Sequence, residues 1–153
     1  MVKQGNYYFQ CSEIILNNLQ HYCFLMGRII KDLIVDGKTR KAIFDTGSVV
    51  SYVTEKALPK DAVCINITPI TSRLAGTIHR LTRRCFISGK IEGREFDLDA
   101  FIIDKLGSIQ EKDNVELDFL IGATTMEEWA ININPKDQTI DLRGLKKREF
   151  LSF

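Results

Sequence analysis

Ala42-Ile43-Phe44-Asp45-Thr46-Gly47-Ser48-Val49-Val50-Ser51 is the stretch on which the reading of this chain turns. An apolar run leads into a carboxylate, a small-residue turn follows at once, and a second apolar run begins behind it. A carboxylate at the end of a buried strand is destabilising unless it is hydrogen-bonded or used in chemistry. Asp45 is therefore the candidate catalytic group. Asp-x-Gly is also ordinary turn chemistry, so the motif takes its weight from what surrounds it.

Upstream, Ile29 to Val35 is rich in branched residues, Asp36-Gly37-Lys38 has the composition of a tight hairpin turn, and Thr39 to Phe44 returns as the partner strand. Downstream, Ser51 to Thr54 reads as a short strand and Glu55 to Leu58 as a helical turn ended by Pro59. Ala62 to Ile70 alternates, with Val63, Ile65 and Ile67 on one face. Two strands then flank the small pair Ala75-Gly76, and a second hairpin turns at Glu92-Gly93 between Arg83–Ile91 and Arg94–Ile103. Residues 105–116 read as a polar loop. Asp118 to Gly122 is a buried-looking strand ending in glycine. Ala123 to Trp129 is the one helical candidate of this region, with Met126 and Trp129 on one face. A last hairpin turns at Pro135 to Gln138. Short strands at regular spacing with one short helix predict an all-β, barrel-like domain.

The chain has 153 residues, ordinary hydrophobic and charged shares (44% and 27%) and a formal net charge of +1. That length suits one domain with its own core. The balance gives no global field for nucleic acid or a membrane surface. Residues 1–25 read as an extension of uncertain structure; Ser12 to Leu19 suits a capped helix or a strand equally. Residues 26–143 form the domain, and 144–153 a tail, basic then apolar. Nothing marks secretion and no run reaches the roughly 20 apolar residues of a membrane span. Cys11, Cys23, Cys64 and Cys85 have no C-x-x-C spacing, and only His21 and His79 accompany them, so no metal site is expected. Free thiols in a cytoplasmic setting are the expectation. Arg73, Arg80, Arg83 and Arg84 with His79 read as a solvated strand face, or as a preference for acidic substrate residues or a nucleic-acid contact, the last weakened by poor aromatic interleaving.

Amide hydrolysis by carboxylates uses two of them. Close carboxylates share one proton, so one takes a proton from water while the other protonates the substrate carbonyl. The neighbours of Asp45 suit this: Gly47 lets backbone approach, Thr46 offers a hydroxyl, and Ser48 offers another to the outer carboxylate oxygen.

Asp45-Thr46-Gly47-Ser48 behind an apolar strand resembles the active-site motif of the aspartic proteases. Leu120-Ile121-Gly122 resembles the apolar-apolar-Gly element that packs against that loop. The hairpin at Leu74-Ala75-Gly76-Thr77 falls where the family has its flap over the substrate, though it is poorer in glycine than retroviral flaps usually are. Asp-Thr-Gly occurs once, so the resemblance is to the retropepsin-like, single-lobe branch, and it covers about residues 26–143. It implies a closed or partly open acid-protease barrel and a homodimer in which each chain gives Asp45. One terminus would supply the dimer sheet. It also implies a protein or peptide substrate bound as an extended strand, and a mechanism with no cofactor, metal or covalent intermediate. The alternative is the same fold serving only as a dimeric peptide-binding module.

Overall fold

The computed structural model of the protein describes residues 28–74, 76–109 and 115–147. The expected extension at residues 1–25, Ala75 at the hairpin tip and the end of the tail lie outside the described residues. Branched side chains form β1 (Arg28–Val35), which pairs antiparallel with β2 (Lys38–Asp45). Asp36 and Gly37 between them have φ of 53° and 69°, the left-handed pair that a tight hairpin requires. The turn fixes the register: Val35 faces Lys38, and at the far end Arg28 faces Asp45.

β3 (Tyr52–Thr54) is followed by a 3-10 turn at Glu55–Ala57 and a meander of β4 (Val63–Leu74), β5 (Thr77–Ile91) and β6 (Arg94–Ile103). The segment expected as a polar loop holds a small ladder of β7 (Ser108–Ile109) and β8 (Val115–Glu116). Then come β9 (Phe119–Ile121), helix α1 (Ala123–Glu128), and the hairpin of β10 (Asn132–Asn134) and β11 (Thr139–Asp141). A 3-10 segment at Arg143–Lys147 follows. Leu145 within it is buried in the main core, so the packed body runs beyond the expected boundary at Arg143.

Among the described residues the fold is all-β with one short helix. The main sheet has the order β1-β2-β9-β3-β6-β5-β4, mixed because β9 runs parallel to β2 and β3 parallel to β6. β1 also meets β5 at Ile34 and Lys90, which closes the strands into a ring and leaves β4 outside it as an edge. Gly89 makes that closure possible: a Cβ there would lie 2.7 Å from the Ile34 carbonyl oxygen and 2.6 Å from the Phe96 ring.

The ring interior is filled by alternate residues of each strand, as its period of two dictates. Trp129, at the end of α1, plugs it beside Phe96 and Phe44, at ring distances of 4.9 and 6.4 Å. Its indole N–H donates to the Asp97 carbonyl at 2.8 Å, so the buried polar edge is satisfied. A second apolar cluster joins Tyr52, Leu81, Ile103 and Leu120, with Ile43, Val50 and Leu74 against it. Val63 and Ile65 of the alternating β4 face are exposed, because an edge strand has a neighbour on one side alone.

Candidate active site

Asp45 is the last residue of β2, and parallel pairing with β9 sets Phe44 beside Ile121. The residue is buried, at 7% exposure. Each carboxylate oxygen has a donor. Oδ1 accepts the Gly47 N–H at 2.9 Å, and the Ser48 N–H closes the turn onto the Asp45 carbonyl at 3.1 Å. Oδ2 accepts the Arg28 Nε–H at 2.9 Å, a cross-strand ion pair created by the β1–β2 register. Thr46 and Gly47 are exposed at the outside of the turn, and Ser48 is half-buried.

The loop behind the turn is clamped by the start of α1. Ala123 N–H donates to the Ser48 carbonyl at 2.7 Å and Thr124 N–H to the Val49 carbonyl at 3.1 Å. Gly122 N–H donates to Ser51 Oγ at 2.9 Å, and Ser51 Oγ shares a 2.6 Å hydrogen bond with Thr125 Oγ1. A Cβ on Gly122 would lie 2.3 Å from the Val50 carbonyl oxygen, so only glycine allows this approach. The structure thus brings Leu120, Ile121 and Gly122 against the Asp45 loop. The Ser48 hydroxyl differs from expectation: it donates to the Val50 carbonyl at 2.8 Å, bracing the loop rather than donating to the carboxylate.

Leu74 and Thr77 face each other at the tip of the β4–β5 hairpin, with Gly76 at φ 80°. Leu74 is half-buried and joins the cluster that holds Leu120, Ile43 and Val50, and Ser72 Oγ is hydrogen-bonded to the Tyr52 hydroxyl at 2.6 Å. The tip of the hairpin is thereby tied to the apolar patch beneath the Asp45 loop. Register shifts between Asn66 and Ile70, around Pro69, which has no N–H to give a ladder. Two arginines of the basic cluster are engaged: Arg83 pairs with Glu55, and Arg84 pairs with Asp99 and lies 5.5 Å from the Phe101 ring centroid. These pairings hold both guanidinium pKa values above the ordinary one.

Four contributors escaped the sequence reading: Arg28, Ser51, Thr125 and Asp118. Asp118 is a second buried carboxylate, at 8% exposure. It accepts the Lys41 N–H at 3.2 Å, lies 4.0 Å from Arg40 Nη1, and bonds through its backbone to Lys41 and Thr54. Its place beside Lys41 puts it four positions along the strand from Asp45, roughly 13 Å at about 3.3 Å per residue. Asp45 and Asp118 are the buried acids among the described residues, and they do not meet. Among the described residues no group of three or more His, Cys, Asp or Glu is placed to hold a metal ion, and no helix is long and apolar enough to cross a membrane.

No family model and no curated protein matches the chain. Among solved structures it is similar to the foamy viral protease-reverse transcriptase in complex with an RNA/DNA hybrid, at a TM-score of 0.46 and 12% identity. That likeness covers 67% of this chain and 12% of the viral one.

Proposed function

We propose that this protein is a retropepsin-like aspartic endopeptidase, active as a homodimer in which two copies of Asp45 form the catalytic dyad. The observation that carries the reading is the buried Asp45 carboxylate at a strand end, bonded to the Gly47 N–H, in a loop clamped by Gly122. Gly47 lets main chain approach the carboxylate, Gly122 lets the start of α1 close on the loop behind it, and no other buried acid among the described residues meets Asp45.

In the dimer the two carboxylates face each other and share one proton. The ionised member takes a proton from water, which attacks the scissile carbonyl. The protonated member gives its proton to the carbonyl oxygen. Thr46, exposed beside the dyad, hydrogen-bonds across the two-fold axis. The β4–β5 hairpin through Leu74 to Thr77 covers an extended peptide and adds strand-type hydrogen bonds to it. Arg28 gives up Oδ2 as the partner carboxylate arrives.

The Arg28–Asp45 ion pair favours a second reading. A carboxylate already matched by a guanidinium is equipped for a structural role, as in a dimeric peptide-binding module with no catalysis. One experiment separates the two. The protein at high concentration is incubated with unfolded casein and a peptide library from acidic to neutral pH, with and without a statine-type inhibitor. Cleavage that the inhibitor blocks and Asp45→Asn abolishes supports the protease. Peptide binding without such cleavage supports the module.

A further inference from the structure

We infer that Cys64 and Cys85 are a thiol–disulfide pair, a reversible modification site joining β4 to β5 near the base of the long hairpin. The two residues are direct partners in the antiparallel register, flanked by Val63 opposite Phe86 and Ile65 opposite Arg84. The irregular stretch of the ladder begins only after Asn66. Directly opposed residues of an antiparallel pair project to the same face, with Cα atoms about 4.5–5.5 Å apart. Disulfides span Cα separations of about 4.4–6.8 Å, so the backbone already stands where the bond requires it.

The two thiols are held by weak contacts alone. Cys85 Sγ lies 3.6 Å from the Ala100 carbonyl oxygen and Cys64 Sγ lies 3.9 Å from that of Ala62. Their access differs: Cys64 is exposed and Cys85 is fully buried. Burial, and then the neighbouring Cys64, push the Cys85 thiol up to about 12, so Cys85 does not react with a solution oxidant by itself. Cys64 is the point of entry.

Glutathione disulfide supplies the oxidising equivalent. The Cys64 thiolate attacks one of its sulfurs, the glutathione S–S bond breaks, and one glutathione leaves as a thiolate that takes up a proton. The Cys85 sulfur, giving its proton to base, then attacks the Cys64 sulfur of the mixed disulfide. The Cys64–Cys85 bond forms and the second glutathione leaves as a thiol. Two protein thiols are oxidised by two electrons and one glutathione disulfide is reduced to two glutathiones. The product ties the edge strand covalently to the ring, independently of any peptidase activity.

The test uses the full chain carrying Cys11→Ser and Cys23→Ser, which removes the other cysteines. The native protein is equilibrated across oxidised-to-reduced glutathione ratios, quenched with acid, alkylated and mapped by mass spectrometry. The expected result is a cross-linked Cys64–Cys85 peptide, a mass lower by two hydrogens, and both thiols lost in equal proportion and recovered with dithiothreitol. In the further Cys64→Ser variant, at an exposed site that spares the core, Cys85 stays unmodified while the protein is folded. Glutathione retained on Cys64 with Cys85 still free, or both thiols unchanged at the most oxidising ratio, overturns the inference.

Discussion

Asp45 has two differently committed oxygens, and the difference predicts how it responds to mutation. Oδ1 is bound by a neutral backbone donor that its own turn supplies, whereas Oδ2 depends on Arg28 from the next strand. Arg28→Gln removes the charge and leaves a buried carboxylate without its cation. Breaking a fully buried pair costs about 3–5 kcal/mol, and exposed pairs are worth under about 1. With side-chain exposures of 10% for Asp45 and 27% for Arg28, the expected loss is about 1–2 kcal/mol by urea titration. In an Asp45→Asn background the same change should have a much smaller effect; an undiminished effect there would mean that Arg28 stabilises the fold through something other than this pair. At this scale the sequence was legible in part. Asp45 stood out as a carboxylate behind an apolar run. Arg28 escaped the reading, although the register set by the Asp36-Gly37 turn is the signal that could have found it. Asp118 was legible only as the start of a buried-looking strand; that its carboxylate is buried beside Lys41 follows from the pairing of β9 between β2 and β3.

Among the elements, the junction of β9 with α1 decides whether the loop is held. Gly122→Ala places a methyl group against the Val50 carbonyl, so the loop or the helix must shift. The expected destabilisation is about 1–3 kcal/mol by thermal or urea unfolding, as for overpacking elsewhere. Ser51→Ala instead leaves the buried Gly122 N–H and Thr125 hydroxyl without their partner, an expected loss of about 1–3 kcal/mol with only one side-chain atom removed. At the β11 end, the Arg143 side chain, then its backbone N–H, hold the Asp141 carboxyl at about 2 against the ordinary 3.8. A depressed folded value means that the contact stabilises above pH 3.8 and is lost as pH falls toward 2. Carbon-detected NMR titration should find the Asp141 midpoint near 2, moving up toward 3.8 in Arg143→Ala. Branched residues, turn signals and an apolar run made β1, β2, β6 and β9 readable, whereas β5 (Thr77–Ile91) is one strand where the sequence suggested parts of two hairpins. The β7–β8 ladder was not readable, because two residues carry no period, and neither was the exposure of β4. Val63 and Ile65 alternate whether a strand lies inside a sheet or at its edge, and only topology separates those cases.

For the whole molecule, the ring closed by β1 and β5 shapes the argument about function. Closure places β2, β9 and β3 side by side, with the Asp45 loop at one end of β2 and Asp118 beside Lys41 near the middle of it. The β2–β9 pairing holds those two carboxylates apart, so the proposed dyad takes its second carboxylate from another chain. A closed two-fold dimer is the commonest assembly. Mixing tests this directly. Wild-type protein and Asp45→Asn are combined in equal amounts at constant total concentration and allowed to exchange subunits. If each chain acts alone, cleavage falls to about half that of wild type; if both Asp45 copies are needed, random pairing leaves about one quarter of dimers intact and the rate falls to about a quarter. Diluting the wild-type protein should also reduce its specific activity as dimers dissociate, while Asp45→Asn homodimers remain inactive at every concentration. A half-maximal rate in the mixture that is insensitive to dilution would place all the chemistry within one chain. That outcome would leave Asp45 without the acidic partner this mechanism demands.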